Sequence, residues 1–525
     1  MPVLRQKPCQ PSPADGISGC TVDSQPATAG ATKLRKSSRA RKLFIGSLLA
    51  LAAGYLLLLI PESDPPAPTD PTQKPFAWNQ NVLWSSLEAR FKSARTTGCA
   101  TLAASIESTL AGRRRQIDEL AAAPVAPDDA RLDSLETNLF HLAPMIAACP
   151  ERLADYIDVY SRMREVVKTQ SQHWDMNSSA ARQRLYRLLY GGRAALEEVL
   201  LQAPAGSYAA LLRAHNEPSS APSVTLHDVT LRSGDILVSR GGAPNSALIA
   251  RGNDFPGNFS HVALLHIDAA TRAAIVIEAH IDRGVAIAPF EQYLKDKKLR
   301  IMALRLRADL PAVKADPQLP HRAAAQALAD ARSRHIPYDF TMNYREHSKQ
   351  FCSEVASAAY EKFGVTLWMG RSHLSSSGLR AWLGCFGARH FETQEPADLE
   401  YDPQLRIVAE WRDPAALWQD HLDSAVIDAL LEGAERGDLL NYPRLMLPIA
   451  RLAKAWSAAL NLFGVAGPIP EGMSATAALR NKAFARHHTA TKARVGALAE
   501  QFRKQHGYAA PYWELVNFAR EAAAR

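Results

Sequence analysis

The pattern of apolar and polar positions separates the first sixty residues from the rest of the chain. Residues 43–60, LFIGSLLALAAGYLLLLI, contain no charged side chain. Eighteen residues in an α-helix extend about 27 Å, which is close to the hydrocarbon thickness of a bilayer. The pattern therefore predicts one transmembrane helix over residues 43–60.

The charges on either side of this segment predict its orientation. The preceding ten residues, KLRKSSRARK, are strongly basic, whereas the following PESDPP has no basic residue. The positive-inside rule therefore places residues 1–42 in the cytoplasm and the body of the protein outside it. We favour an uncleaved signal anchor over a cleaved signal peptide, because the segment is long, starts late and lacks a small-residue cleavage pattern. The expected location is a bacterial inner membrane, crossed once, with a periplasmic body.

The remaining chain alternates between helical and strand patterns. Residues 61–76 contain six prolines, which predicts an extended stalk. Residues 77–215 are rich in Ala, Leu, Glu and Arg without β-branched clusters, which indicates a helical domain. Short apolar runs between Gly, Asn, Asp and Pro predict an antiparallel sheet, followed by helices, within residues 222–400. Residues 401–525 are predicted to be a C-terminal helical region.

Five apolar runs are the candidate strands of this sheet. They are GDILVSR (234–240), SHVALLHI (260–267), AIVIEAH (274–280), GVAIAPF (284–290) and IMALRL (301–306). Helices are predicted over residues 321–334 and 352–364. Strands followed by helices in this order indicate an α+β fold.

Cysteines outside the predicted tail include a pair on either side of a helical hairpin. Cys99 and Cys149 lie at similar distances from the proline-containing turn at residues 123–130. They form either a disulfide or two ordinary buried thiols, because spacing does not show which way the side chains face. The chain has no CxxC pair, so a zinc ribbon or a thioredoxin-like site has no support.

Composition and charge narrow the classes of function. The chain is 47% hydrophobic and 22% charged, which excludes disorder over most of its 525 residues. Eight basic and two acidic residues in the tail account for most of the net charge of +8. Because the excess is not spread over the body, we expect no nucleic-acid partner. Phosphate-binding GxxxxGK, zinc-binding HExxH, GxSxG and GxGxxG motifs are absent from the sequence.

Cys352 is the candidate nucleophile, because it stands at the start of a predicted helix in QFCSEVAS. A helix N-terminus stabilises negative charge, so the position predicts a lowered thiol pKa. A cysteine nucleophile also needs a base and a third group that orients the base. His261 at the start of a strand is the candidate base, and Glu278 within an apolar strand is the candidate third group.

Other histidines compete for these roles. His280 shares the predicted strand face of Glu278, since side chains alternate along a strand. The further rivals are His266, His335 and His347. Cys385 in LGCFG is interpreted as a structural or spare thiol.

The ordered motifs GDIL, SHVAL, IEAH with a following GV, IPYDF and FCSEV resemble the permuted papain-like amidases of the YaeF/YiiX type. These are relatives of NlpC-type cell-wall peptidases in which the cysteine helix follows the sheet. The resemblance covers about residues 222–400. It implies an antiparallel sheet with a nucleophile-bearing helix, Cys352 as nucleophile, His261 as base and Glu278 as the third residue.

The same resemblance places Tyr338 of IPYDF beside the nucleophile, as a substrate-binding residue, and gives Asp235 of the GD turn an architectural role. It implies acyl transfer to water without a metal or an organic cofactor. We expect a membrane-anchored amidase that acts on cell-envelope peptides. The alternatives are a lipid or lipoprotein acyl hydrolase or acyltransferase, and a non-catalytic envelope scaffold. The helical flanks and the anchor inherit nothing from the resemblance, and their protein partners stay unknown.

Overall fold

The structure is a computed structural model that describes residues 37–62, 74–77, 80–204, 206–412 and 414–524. The predicted tail up to residue 36 and most of the predicted stalk lie outside the described residues. The chain divides into two compact units, Met1–Leu57 and Leu58–Arg525.

The first unit contains most of helix α1 (Ser37–Leu58). Within α1, Arg41–Leu58 is long and apolar enough to cross a membrane. Its leucines are exposed, with Leu43 at 73% and Leu51 at 74%. The helix ends two residues before the predicted end of the apolar segment.

The second unit begins with a bundle of helices around an apolar core. Its helices are α2 (Gln80–Thr97), α3 (Cys99–Ala122), α4 (Ala130–Ala147), α5 (Leu153–Gln170), α6 (Ser179–Tyr186) and α7 (Gly192–Gln202). Apolar side chains recur every three or four residues on these helices, so one face of each is buried. Leu110, Leu135 and Tyr160, for example, are fully buried in this core.

The next part of the chain forms the sheet. Its strands are β1 (Leu211–Arg213), β2 (Ser223–Leu226), β3 (Val229–Arg232), β4 (Ile236–Gly241), β5 (His261–Ile267), β6 (Ala274–His280), β7 (Gly284–Pro289), β8 (Lys298–Leu306), β9 (Ser372–His373), β10 (Glu392–Thr393) and β11 (Leu405–Arg412). Seven of them pair in the order β1-β11-β8-β4-β5-β6-β7, and each of these neighbouring pairs is antiparallel. The predicted antiparallel sheet is therefore present.

Two strands of this sheet come from regions that were predicted to be helical. β1 lies within the predicted helical domain 77–215, and β11 lies within the predicted helical region 401–525. The prediction was wrong there. β11 pairs with β8 along seven residue pairs, so long-range backbone hydrogen bonds make this segment a strand. Local composition does not reveal such pairing.

Helices cover both faces of the sheet. They are α8 (Pro244–Arg251), α9 (Phe290–Lys295), α10 (Pro311–Ala315), α11 (Leu319–Ser333), α12 (Glu354–Glu361) and α13 (Ser377–Phe386). On one face, Leu264 and Ile277 pack with residues of α11 and α12. On the other face, Leu265 and Val276 pack with Phe290 of α9. Burial on both faces explains why these strands read as nearly continuous apolar runs.

The chain ends in four helices, α14 (Pro414–Glu435), α15 (Leu447–Asn461), α16 (Ala475–His506) and α17 (Tyr512–Ala523). α14, α16 and α17 share a core that includes Val426, Phe484 and Leu515. The inner side of α15 packs separately, with Leu447 against Ile469 and Met473.

Cys99 and Cys149, which the sequence left open, form a disulfide in the structure, with their Cα atoms 4.9 Å apart. Cys149 is fully buried in the core of the helical bundle. The bond joins the start of α3 to the end of the α4 segment, so it closes the hairpin at its open end.

We expect reduction of this disulfide to destabilise the helical bundle. The two cysteines are 50 residues apart, and the loss of loop-closure constraint over that length corresponds to at most about 4 kcal/mol. Thermal unfolding followed by circular dichroism, with and without reductant and in Cys99→Ala, should show a lower melting temperature when the bond is missing. Cys385→Ala is the matched control and should leave the melting temperature unchanged. Equal melting temperatures with and without reductant would contradict a structural role for the bond.

Candidate active site

The pairing of two neighbouring strands brings His261 and Glu278 together. Ala263 of β5 lies opposite Glu278 of β6. His261 is two residues before Ala263, so Glu278 is its diagonal neighbour on the same face of the sheet. Nε2 of His261 is 2.6 Å from Oε2 of Glu278.

The carboxylate of Glu278 contacts a second imidazole. Nε2 of His280 is 3.2 Å from Oε1 of Glu278, which confirms the predicted common face of these two residues. Glu278 is only 1% exposed. Burial alone would raise its pKa, but hydrogen bonds from His261 and His280 lower the pKa well below its ordinary value. Glu278 is therefore an ionised carboxylate that holds the ring of His261.

The sulfur of Cys352 lies against the backbone on both sides of His261. Sγ is 4.0 Å from the carbonyl oxygen of Ser260. The backbone N–H of Val262 donates a hydrogen bond to Sγ. The structure thus places the thiol of Cys352, the candidate nucleophile, against the backbone on either side of His261, the candidate base. Among the described residues, however, no hydrogen bond joins Sγ to the His261 ring, and Nδ1 of His261 has no hydrogen-bond partner.

The expectation of a lowered thiol pKa was wrong. Burial raises the pKa of Cys352 to about 12, although hydrogen bonds from Val262 and Ser353 oppose the shift. α12 begins at Glu354, so Cys352 precedes the helix instead of occupying its first turn. The effect of burial on the thiol pKa is therefore larger than any effect of the helix N-terminus.

His261 is also neutral at rest. Burial lowers the pKa of His261, and this effect exceeds the opposing effect of its hydrogen bond to Glu278. A neutral imidazole beside a protonated thiol can act as a general base when substrate binds. A preformed thiolate-imidazolium pair does not fit these two shifts.

Cys352 opens into a cavity whose walls are mostly apolar. Tyr338 lines the same cavity, and its ring packs against Phe340 with 5.0 Å between the ring centroids. Tyr338 thus lies in the cavity of Cys352, and its role in binding substrate stays a prediction. The other walls come from α8, α13 and the loops around them, mainly through Leu248, Ile249, Phe340, Leu383 and Phe386.

Glu395 is a polar residue of this cavity that the sequence did not indicate. It is 4% exposed, lines the cavity with Cys352, and its carboxyl group makes no hydrogen bond or ion pair within the described part of the chain. Burial raises its pKa well above the ordinary value, so it is a neutral acid. It follows a two-residue strand in the segment TQEPADLE, where no motif or spacing marked it.

The backbone N–H of Cys352 has no acceptor among the described residues. Such a group, next to the attacking sulfur, is where cysteine hydrolases stabilise the oxyanion. Glu354, in contrast, has a structural role, because its carboxyl group accepts the N–H of Phe351 and so links the start of α12 to the residue before Cys352.

The rival histidines contact other groups. His335 bonds Glu471, His347 bonds Glu354 and Glu361, and His266 stacks on His321. Asp235 is buried and pairs with Arg305 at 2.8 Å, which supports its architectural role. Cys385 is a half-buried cysteine in α13.

Comparison with known families identifies the central part of the chain. Residues 230–409 match a family described as permuted papain-like amidase enzymes, YaeF/YiiX, C92 family. The match extends from β3 into β11, and it confirms the resemblance over these residues. No curated protein matches the chain, and no solved structure matches it.

A neutral resting thiol predicts a distinctive pH dependence of alkylation. Below a pKa of about 12, the thiolate fraction grows about tenfold per pH unit. We therefore expect iodoacetamide labelling of Cys352 in the substrate-free protein to be slow at pH 7 and to rise steadily through pH 10, as followed by peptide mass spectrometry. Labelling of Cys385 in the same samples is the internal reference. A rate already constant between pH 6 and pH 8 would instead indicate a preformed ion pair.

Proposed function

Because residues 230–409 match the permuted papain-like amidases, we propose that the chain is a membrane-anchored cysteine hydrolase that cleaves amide bonds of cell-envelope peptides. The observation that supports this proposal is the contact of the Cys352 sulfur with the backbone on both sides of His261, whose ring is held by Glu278. The proposed catalytic residues are Cys352, His261 and Glu278, and Tyr338 is the proposed substrate-binding residue.

Nδ1 of His261 would accept the proton of Cys352 as the sulfur attacks the substrate carbonyl. The hydrogen bond between thiol and imidazole is not formed in the free protein, but such bonds often tighten only when substrate is bound. The N–H of Cys352 would then stabilise the oxyanion. The imidazolium returns its proton to the leaving amine, which yields a thioester between Cys352 and the acyl group.

Water completes the reaction. His261 removes a proton from a water molecule that attacks the thioester, and the acid and the free thiol are released. Glu278 stays ionised throughout and stabilises the imidazolium through Nε2. Glu395, as a neutral acid in the same cavity, is a candidate donor to the oxyanion, because a protonated carboxyl group can donate a hydrogen bond.

The membrane location belongs to the same proposal. Arg41–Leu58 would span the bacterial inner membrane once, with the basic tail in the cytoplasm and the larger unit in the periplasm. The disulfide between Cys99 and Cys149 supports a periplasmic location of the larger unit, because disulfides persist in oxidising compartments.

Substitution of the three proposed catalytic residues tests the chemistry. We expect Cys352→Ala to abolish amide hydrolysis, His261→Ala to reduce kcat/KM by at least about a thousandfold, and Glu278→Gln by about 10²- to 10⁴-fold. Release of stem-peptide fragments, measured by liquid chromatography, is the readout. Cys385→Ala is the matched control and should retain full activity. A Cys352→Ala protein with unchanged hydrolysis would exclude the mechanism, and unchanged cellular phenotype and partner binding in that variant would favour a scaffold.

The apolar cavity favours a second candidate function, the hydrolysis or transfer of lipid or lipoprotein acyl groups. Its side chains beside Cys352, such as Leu248, Leu383 and Phe386, offer few hydrogen-bonding partners for a peptide backbone. An acyl chain needs none, and its burial contributes about 0.8 kcal/mol per methylene.

Chain-length dependence separates the two substrates. If the cavity holds an acyl chain, kcat/KM for p-nitrophenyl esters should rise up to about fourfold per methylene until the cavity is filled. Leu383→Trp should then reduce activity on long esters and spare short ones. Leu431→Trp, on α14 and away from the cavity, is the matched control. Ester hydrolysis independent of chain length, together with efficient peptide cleavage, would favour the amidase.

A further inference from the structure

α15 and the turn after it expose large apolar side chains. Ile449, Leu452, Trp456, Leu462 and Phe463 are between 54% and 85% exposed. Ile449, Leu452 and Trp456 follow one another at helical spacing, so they form a continuous stripe. We call these five residues the outer face of α15. An exposed apolar stripe of this kind marks an interaction site.

The charged residues of α15 and of the segments directly beside it in the sequence are basic. Between residues 439 and 470 the sequence contains Arg444, Arg451 and Lys454 and no acidic residue. A helix with apolar and aromatic side chains on one side and basic residues nearby is typical of segments that lie in the interface of an anionic bilayer.

The larger unit itself places α15 beside the last residues of the apolar segment. Nη2 of Arg451 donates to the carbonyl oxygen of Ile60 at 2.6 Å, and Nη1 donates to that of Leu58 at 3.1 Å. Arg451 also lies 3.7 Å from Glu62. If the apolar segment spans the membrane, these carbonyl groups lie at the bilayer surface. Arg451 donates hydrogen bonds to them, so α15 lies at the same surface.

The described residues at the two ends of the predicted stalk contact the larger unit. Its start contacts α15 through Glu62, and near its end the N–H of Phe76 donates to the carbonyl oxygen of Asp254 at 2.8 Å. Both described ends of the proline-rich segment are therefore attached to the body, and the residues between these ends lie outside the described part of the chain.

We propose that the outer face of α15 inserts into the headgroup region of an anionic lipid bilayer, next to the point where the anchor leaves it. This inference rests on the membrane anchoring in the proposed function. The outer face would bury its apolar side chains among lipid, while the exposed Arg444 meets anionic headgroups.

The bilayer contact would also position the candidate active site. The inner side of α15 belongs to the same apolar cluster as Met473, Phe340 and Ile281, and these three residues line the cavity of Cys352. A single helix, about 10 Å in diameter, therefore separates the bilayer from the cavity wall. Substrates tethered to the membrane surface would reach this cavity without leaving the interface.

Fluorescence of Trp456 in the full-length protein tests the proposal. The protein is reconstituted into vesicles of phosphatidylcholine and phosphatidylglycerol, with and without brominated acyl chains, which quench only nearby tryptophans. The emission of Trp456 is the difference between wild type and Trp456→Phe, and we expect at least half of it to be lost in brominated vesicles. Trp418 of the α14 core, isolated in the same way with Trp418→Phe, is the matched control and should keep its emission.

Each result decides the proposal. Leu452→Asp should abolish the quenching of Trp456 while circular dichroism shows an unchanged fold. Trp456 emission that is insensitive to brominated lipid in a vesicle-bound protein would overturn the proposal. A dimer in detergent that dissociates with Leu452→Asp, without quenching, would instead assign the outer face to a second copy of the chain.

The anchor is tested separately in the same samples. Release of the protein by carbonate washing would refute the anchor, whereas quenching of Trp456 before the wash reports on the outer face alone. Neither measurement depends on hydrolytic activity. Both results can therefore be interpreted even if the hydrolase proposal fails.

Discussion

The backbone pairing of β5 with β6 is the constraint on which the candidate site depends. Side chains alternate between the two faces of a strand, so a shift of one residue in this register would move Glu278 to the opposite face from His261. The observed register, with Ala263 opposite Glu278, places the carboxylate on the imidazole. Ser260, directly before β5, and Val262 of β5 contact the sulfur of Cys352 through their backbone. One strand thus arranges three side chains that are far apart in the chain.

Buried ion pairs attach the helical regions to this sheet. Arg300 of β8 contacts Glu197 of α7 at 2.6 Å and Asp420 of α14 at 2.7 Å. All three side chains are at most 2% exposed. Removal of one partner from such a group leaves an uncompensated buried charge, which costs about 3–5 kcal/mol. The helices before and after the family-matched segment are therefore integral to the larger unit.

Two features, the buried candidate site and the exposed outer face of α15, indicate the same kind of chemistry. The apolar walls of the cavity bury the thiol of Cys352 and raise its pKa, so the proposed mechanism requires a bound substrate to align the base. On the far side of the cavity wall, α15 presents apolar and basic side chains beside the end of the apolar segment. Work at a membrane surface on an acyl chain or a tethered peptide fits both features.

The sequence by itself determined five strands of the central sheet and the helices α11 and α12, because apolar periodicity and turn residues are local signals, and its ordered motifs indicated Cys352, His261 and Glu278. Only the tertiary structure decided the membership of β1 and β11 in the sheet, the disulfide, the place of Glu395 in the cavity and the exposure of α15. It also reversed the expected pKa shift of Cys352. Each of these features depends on which distant segments come into contact and on how far they are buried. The local spacing of residues in the sequence specifies neither the contacts nor the burial.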